Sequence, residues 1–172
     1  MDKRISSCDR RTLLTSMAVP LLLPPTIAHA VMANSQNVFK VGQSLSMAEA
    51  EARFKEGQKS AKYLLDHYDE ICQGGGDNVR RYLGTVGTTS GLFGISKVMT
   101  VLADKADDFV EYTELSNEIL KSIQQADGSS YMAIFVTTST SQTPPSKYFG
   151  DAKIEIKRCI KGLDELAALI GI

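Results

Sequence analysis

Apolar side chains recur at intervals of three and four residues along four stretches between residue 46 and the C-terminus. This spacing is typical of one face of an α-helix and predicts four amphipathic helices. The first begins at Ser46, which with Glu49 forms a capping box that satisfies the free amides of a first helical turn. It is predicted to end at Gln73, because three consecutive glycines follow. Its predicted inward positions are Phe54, Ala61, Leu65, Tyr68 and Cys72.

The second predicted helix, over residues 77–102, contains a break. Asp77 is expected to cap its start, with Val79, Tyr82 and Leu83 pointing inward. Three glycines within residues 84–91 allow backbone angles that other residues resist, which predicts a kink or a short loop. Ser90 is then expected to cap the resumed helix.

Two longer helices follow. Carboxylates at residues 104–108 indicate a turn and a helix start, where the macrodipole favours negative charge. The third helix is predicted to reach at least Ala126 and to extend to about residue 136, although β-branched residues at 134–138 allow a short strand. The Thr, Ser and Pro residues of 137–146 predict a loop, and the fourth helix begins around Lys147. The predicted inward positions of the third helix are Phe109, Tyr112, Ser116, Ile119, Ile123, Ala126, Ser130 and Ala133.

Together these elements predict an all-α fold. Four helices of similar length with mostly short connections favour an antiparallel up-down four-helix bundle over residues 46–172. Residues 31–45 show no clear period and are expected to form an extended N-terminal arm. No apolar run reaches the roughly 18 residues of a membrane-spanning helix.

The N-terminal 30 residues have the pattern of an export signal. A basic region containing Arg10 and Arg11 precedes a short apolar region, and small residues at Ala28 and Ala30 predict cleavage after residue 30. Paired arginines followed by leucines are typical of the twin-arginine route, which carries folded proteins. The alternative, an N-terminal core helix, is incompatible with three prolines in that region. A bacterial periplasm and a thylakoid lumen both fit this signal.

Charge and composition exclude several functions. The chain has 19 Lys+Arg against 20 Asp+Glu, so its net charge of −1 argues against nucleic-acid binding. Three cysteines cannot form a disulfide framework, and Cys72 and Cys159 are expected to be buried free thiols. His67 is expected at the boundary of the core rather than as a ligand. No nucleophile, base and oxyanion donor come together in the sequence, so we expect no catalysis and no cofactor.

Two charged clusters are candidate partner contacts. The acidic cluster comprises Asp104, Asp107, Asp108 and Glu111, whose spacing predicts one helix face. Such a face suits a divalent cation, a basic partner or simply solvent. The basic pair Arg80-Arg81 suits an acidic partner surface. The glycine-rich residues 84–94 lack the Lys-Ser/Thr of a phosphate loop and predict a structural break or a docking elbow.

Several stretches resemble a known family. These are residues 77–83 (Asp-Asn-Val-Arg-Arg-Tyr-Leu), the interrupted second helix, and residues 163–170 (Leu-Asp-Glu-Leu-Ala-Ala-Leu-Ile). They resemble the PsbQ family, the lumenal extrinsic subunits of photosystem II. Residues 81–95 (Arg-Tyr-Leu-Gly-Thr-Val-Gly-Thr-Thr-Ser-Gly-Leu-Phe-Gly-Ile) are most similar to the red-lineage members, which are the PsbQ-prime type and the fifth extrinsic subunit of diatoms.

The resemblance implies a non-catalytic subunit of the oxygen-evolving complex in the plastid thylakoid lumen, peripheral to the membrane. Its partners would be photosystem II core subunits and other extrinsic subunits. It would help to retain calcium and chloride at the manganese cluster, whose ligands lie in the core. The arm over residues 31–45 and the pair Arg80-Arg81 would contact the core. Two alternatives remain: another lumenal complex such as photosystem I, and an exported four-helix binding protein or metal chaperone of a bacterial envelope.

Overall fold

A computed structural model describes residues 44–136 and 143–172. The export signal with its residues Arg10, Arg11, Ala28 and Ala30, nearly all of the predicted arm, and the first part of the loop after residue 136 lie outside the described residues. Within the described ranges all regular secondary structure is helical. It consists of α1 (Met47–Asp66), α2 (Tyr68–Gln73), α3 (Gly76–Tyr82), α4 (Ile95–Leu102), a 3₁₀ turn (Ala103–Lys105), α5 (Phe109–Val136) and α6 (Pro145–Leu169).

The predicted first helix exists as α1 and α2. The capping box at its start is confirmed, with the Glu49 amide donating to Ser46 Oγ over 3.3 Å and the Ser46 amide donating to a Glu49 carboxylate oxygen over 3.0 Å. The prediction of one continuous helix is wrong at His67, whose backbone angles (φ −106°, ψ 19°) leave the helical region. The His67 ring nitrogen Nδ1 lies 3.1 Å from the Tyr63 carbonyl oxygen. The regular helix bond is kept there, because the His67 amide also donates to the Tyr63 carbonyl oxygen, over 3.1 Å.

The predicted break in the second helix is confirmed, since residues 83–94 separate α3 from α4. The two predicted caps are wrong. Gly75, at φ 85°, precedes α3, so Asp77 lies within the first turn of α3. Gly94, at φ 73°, precedes α4. Ser90 instead stabilises the turn before Gly94, because its hydroxyl oxygen accepts from the Leu92 amide over 3.1 Å.

The third and fourth helices lie close to their predicted ranges. α5 continues through Gly128 to Val136, so residues 134–136 are helical and the short strand considered there is wrong. α6 begins at Pro145, two residues before the predicted start. Proline is compatible with the first helical position, because the amide that it lacks has no helical partner there.

Two clusters of buried side chains form the core. The larger cluster joins α1, α4, α5 and α6, and includes Phe54, Met99, Leu102, Ile119, Leu163 and Leu166. The smaller cluster joins α1 to α3 with α5 and α6, and includes Leu64, Tyr68, Val79, Leu83 and Ile156. The most extensive contact between two helices is that of α5 with α6. The predicted core is wrong at Phe109, which is 65% exposed. Four further predicted inward positions are half-buried rather than buried: Leu65, Cys72, Tyr82 and Ser116.

Candidate functional site

The Arg80 guanidinium is already paired with residues of its own chain. Its side chain is only 19% exposed, and Nε donates to the Asp127 carboxylate of α5 over 2.8 Å. Nη1 donates to Asp77 over 3.0 Å, and the guanidinium lies 4.9 Å from the centre of the Tyr131 ring. The hydrogen bond that Arg80 donates to the Asp127 carboxylate raises the pKa of Arg80. Arg80 therefore connects α3 to α5, and its contact with a partner stays a prediction.

The connection between α3 and α4 is anchored on the same carboxylate. The Thr85 hydroxyl contacts the Asp127 carboxylate and lies 3.0 Å from the Arg80 carbonyl oxygen. Gly84 lies at φ 74°, and a Cβ there would be 2.6 Å from the Phe93 amide nitrogen. Only glycine fits a backbone that is both left-handed and this close to a neighbouring segment. The predicted structural break is thus confirmed, and these contacts hold the connection in place.

Arg81 points in a different direction from its neighbour. It is exposed, and it makes no ion pair with any residue in the two described ranges. Because successive residues of a helix are rotated by about 100°, one member of the pair contacts α5 while the next faces solvent. Of the two predicted basic contacts, Arg81 is the one whose side chain is exposed to solvent.

The acidic cluster does not form one helix face. Asp104 lies in the 3₁₀ turn, Asp107 lies in the bend that follows it, and Glu111 lies in α5. The Asp108 carboxylate accepts from the amides of Val110 over 2.9 Å and Glu111 over 3.0 Å, so it caps the start of α5. The single-face prediction is wrong because the helix begins only at residue 109. All four acidic side chains are nonetheless exposed at one end of α5.

The two charged clusters are separate surfaces. Arg80 contacts α5 at Asp127, whereas the acidic cluster adjoins Phe109 at the start of that helix. Eighteen residues of helix lie between these points, which is about 27 Å at 1.5 Å per residue. Within the residues that the structure describes, no group of three or more His, Cys, Asp and Glu has an arrangement that could hold a metal ion.

The remaining candidate residues have structural environments. The His67 ring is half-buried and stacks on Tyr63 with centroids 4.0 Å apart. Cys72 and Cys159 are free thiols, as predicted, although Cys72 is half-buried rather than buried. Burial raises the pKa of Cys72 and raises the pKa of Cys159 to about 12. Both thiols are therefore protonated and weakly nucleophilic at neutral pH.

Exposed apolar side chains are the feature that the periodic pattern missed. The large apolar residues that are exposed within the described ranges are Phe109, Val110, Tyr131, Met132, Phe135 and Ile154. Tyr131 and Phe135 contact each other edge to face, with centroids 4.7 Å apart. Phe109 and Val110 are the most exposed of the set, at 65% and 66%. The carboxylates that flank Phe109 and Val110 in the sequence could have indicated this exposure, since a helix start rich in charge is rarely buried.

Comparisons with protein families, with curated proteins and with solved structures found no match. None of the helices described in residues 44–136 and 143–172 has both the length and the apolar content needed to cross a lipid bilayer.

Proposed function

We propose that this protein is a non-catalytic extrinsic subunit of photosystem II, docked on the lumenal face of the oxygen-evolving complex. The observation that carries the proposal is the resemblance of residues 77–95 to red-lineage members of the PsbQ family. The twin-arginine pattern at Arg10-Arg11 supports it independently, because that route delivers folded proteins to the thylakoid lumen. The protein acts there through surface shape and charge.

The anchored turn between α3 and α4 gives a physical reason why residues 77–95 would carry a binding surface. Arg80 and Thr85 both contact Asp127, and Gly84 permits an approach that a side chain would block. Loops that rigid elements hold in place often carry binding contacts. Arg81 is exposed beside this turn and is the basic contact that we assign to the photosystem II core.

We further propose that the helices form an antiparallel up-down four-helix bundle, with α1–α2, α3–α4, α5 and α6 as its four rods. Contacts between the first and last rods support this order. Gln58 donates to the Leu163 carbonyl oxygen over 3.3 Å, and the Tyr68 hydroxyl donates to the Phe149 carbonyl oxygen over 2.7 Å. Residue numbers rise along one rod while they fall along the other, which is the relation expected of antiparallel neighbours.

Contacts between the second and third rods support the same arrangement. Arg80 of α3 bonds to Asp127 of α5, and the Met99 carbonyl oxygen of α4 accepts from the Tyr112 hydroxyl of α5 over 2.6 Å. Residue numbers again rise along one rod and fall along the other, as expected of antiparallel neighbours. A rigid bundle of this kind suits a subunit that covers a protein surface and limits the escape of calcium and chloride ions.

The experiment that tests the proposed function is the recovery of the protein with photosystem II membranes from the source organism. We expect the protein to copurify with these membranes and to be released by a high-salt or alkaline wash, as a peripheral subunit is. Recovery with photosystem I, or only in the free soluble fraction, would contradict the proposal. Tight calcium or copper binding by the isolated protein in calorimetry would instead favour a metal chaperone.

A further inference from the structure

The start of α5 presents an apolar pair to solvent. Phe109 and Val110 are adjacent residues in the first turn, each about two-thirds exposed. Singly exposed apolar residues are common on protein surfaces, whereas contiguous apolar surface rimmed by polar residues is typical of interaction sites. Removing such a pair from water when a partner binds is favourable in proportion to the apolar area covered.

Neighbouring contacts hold this apolar pair in place. The Asp108 carboxylate accepts from the Val110 amide over 2.9 Å, which fixes the first turn. One turn further on, the buried Tyr112 hydroxyl donates to the Met99 carbonyl oxygen over 2.6 Å, which fixes α5 against α4. A surface that is already ordered loses little conformational entropy on binding. The backbone that carries the two apolar side chains is therefore ordered before a partner binds.

Carboxylates flank the apolar pair in the sequence. Asp104, Asp107 and Glu111 are exposed, and no described residue forms an ion pair with them. The adjacent cation, Lys105, is already paired with Glu51 over 2.8 Å. The local field at this helix start is thus negative, with an apolar centre. A partner that complements both properties carries basic groups around an apolar recess.

We propose that this surface, consisting of Phe109 and Val110 with Asp104, Asp107, Asp108 and Glu111, docks onto a basic protein surface containing an apolar recess. The inference rests on the proposed function and refines it, because it assigns the partner surface to photosystem II. Phe109 acts as the anchor, since a desolvated aromatic side chain at the centre of an interface carries much of its binding energy. The carboxylates steer the encounter and fix its orientation. An anionic lipid surface is disfavoured, because it would repel these same carboxylates.

The test is the rebinding of the purified protein to photosystem II membranes that a high-salt wash has stripped of extrinsic subunits. We expect the double variant Phe109→Ser/Val110→Ser to bind about thirty-fold more weakly than the wild type, as loss of a central anchor does. The triple variant Asp104→Asn/Asp107→Asn/Glu111→Gln should associate about ten-fold more slowly at low salt and show a weaker salt dependence.

Matched controls separate docking from general surface effects. Ile154→Ser removes another exposed apolar side chain, from α6, and should leave the affinity unchanged. Because the altered side chains are exposed, the unfolding midpoint of each variant should match that of the wild type. Wild-type binding with unchanged affinity in both multiple variants would overturn this docking surface alone. Failure of the wild type to bind would overturn the proposed function and the docking surface together.

Two further arms of the experiment examine other occupants. Binding of the wild type to vesicles of either phosphatidylglycerol or phosphatidylcholine would contradict a protein partner. Self-association of the free protein that the Phe109→Ser/Val110→Ser variant abolishes would identify a second copy as the occupant and overturn the assignment. We expect the wild type to leave the vesicles unbound and to sediment as a monomer.

Discussion

The close approach of α3 to α5 at Gly76 leads to a sharp prediction about stability. A Cβ added at Gly76 would lie 2.0 Å from the carbonyl oxygen of Ser130 and 2.8 Å from Cγ1 of Ile134. The first of these atoms belongs to the backbone of a long helix, so the contact cannot be relieved by a side-chain rotation. The two atoms must therefore move apart by about 1.4 Å to restore an ordinary van der Waals separation.

The expected cost follows from two opposing effects. Forcing an extra carbon into a packed contact typically costs about 1–3 kcal/mol and sometimes more. Replacing glycine by alanine in a helix returns at most about 1 kcal/mol, and less at the first helical position, which Gly76 occupies. We therefore expect Gly76→Ala to lower the free energy of unfolding by about 2 kcal/mol.

The assay is urea denaturation followed by far-ultraviolet circular dichroism. For a protein of this size the expected loss lowers the urea midpoint by about 1 M with an unchanged slope. Gly128→Ala in α5 is the matched control, because a Cβ there meets no atom within 4 Å, so it should stabilise the protein by up to about 1 kcal/mol. A midpoint for Gly76→Ala at or above that of the wild type would refute the packing of α3 on α5.

Three further substitutions or modifications have defined outcomes. Asp127→Ala should cost about 2 kcal/mol in the same assay, because it leaves the largely buried Arg80 guanidinium without its main acceptor; an unchanged midpoint would contradict that role. Cys159, whose pKa burial raises to about 12, should resist iodoacetamide at mildly alkaline pH until the protein is unfolded; rapid labelling of the folded protein would contradict its burial. Burial also raises the pKa of Tyr112 to about 12, so this group stabilises the fold below about pH 10 and the contribution is lost as the pH rises through 12. Tyr112→Phe should lower the free energy of unfolding by about 1 kcal/mol at neutral pH, since the Met99 carbonyl oxygen loses a donor. Between pH 10 and 12 this variant should lose less stability than the wild type, and an equal loss of stability would contradict the assignment.

The features of the fold that the sequence predicted well are those that local chemistry determines. The capping box at Ser46 and the break between α3 and α4 depend on a few neighbouring residues, and both were predicted correctly. The exposure of Phe109 could not be read in this way. A helical period indicates which residues share a face, but not whether a neighbouring helix extends far enough to cover the end of that face.

The candidate site was less predictable because its contacts join distant parts of the chain. Arg80 and Asp127 are 47 residues apart, and their pairing depends on the register of two helices. The spacing of the acidic cluster predicted one face only if a helix already existed at Asp104, whereas α5 begins at Phe109. The resemblance of residues 77–95 identified a segment with a well-defined turn, but the sequence did not show that Asp127 anchors it.

The most direct measurement of the central claim is the oxygen-evolution rate of washed photosystem II membranes in a medium low in calcium and chloride. Adding the purified protein should restore a substantial part of the rate lost on washing, because the proposed subunit would slow the escape of both ions. An excess of the two ions should make the added protein unnecessary. A rate in the low-ion medium that stays the same with and without the protein would contradict its role in the oxygen-evolving complex.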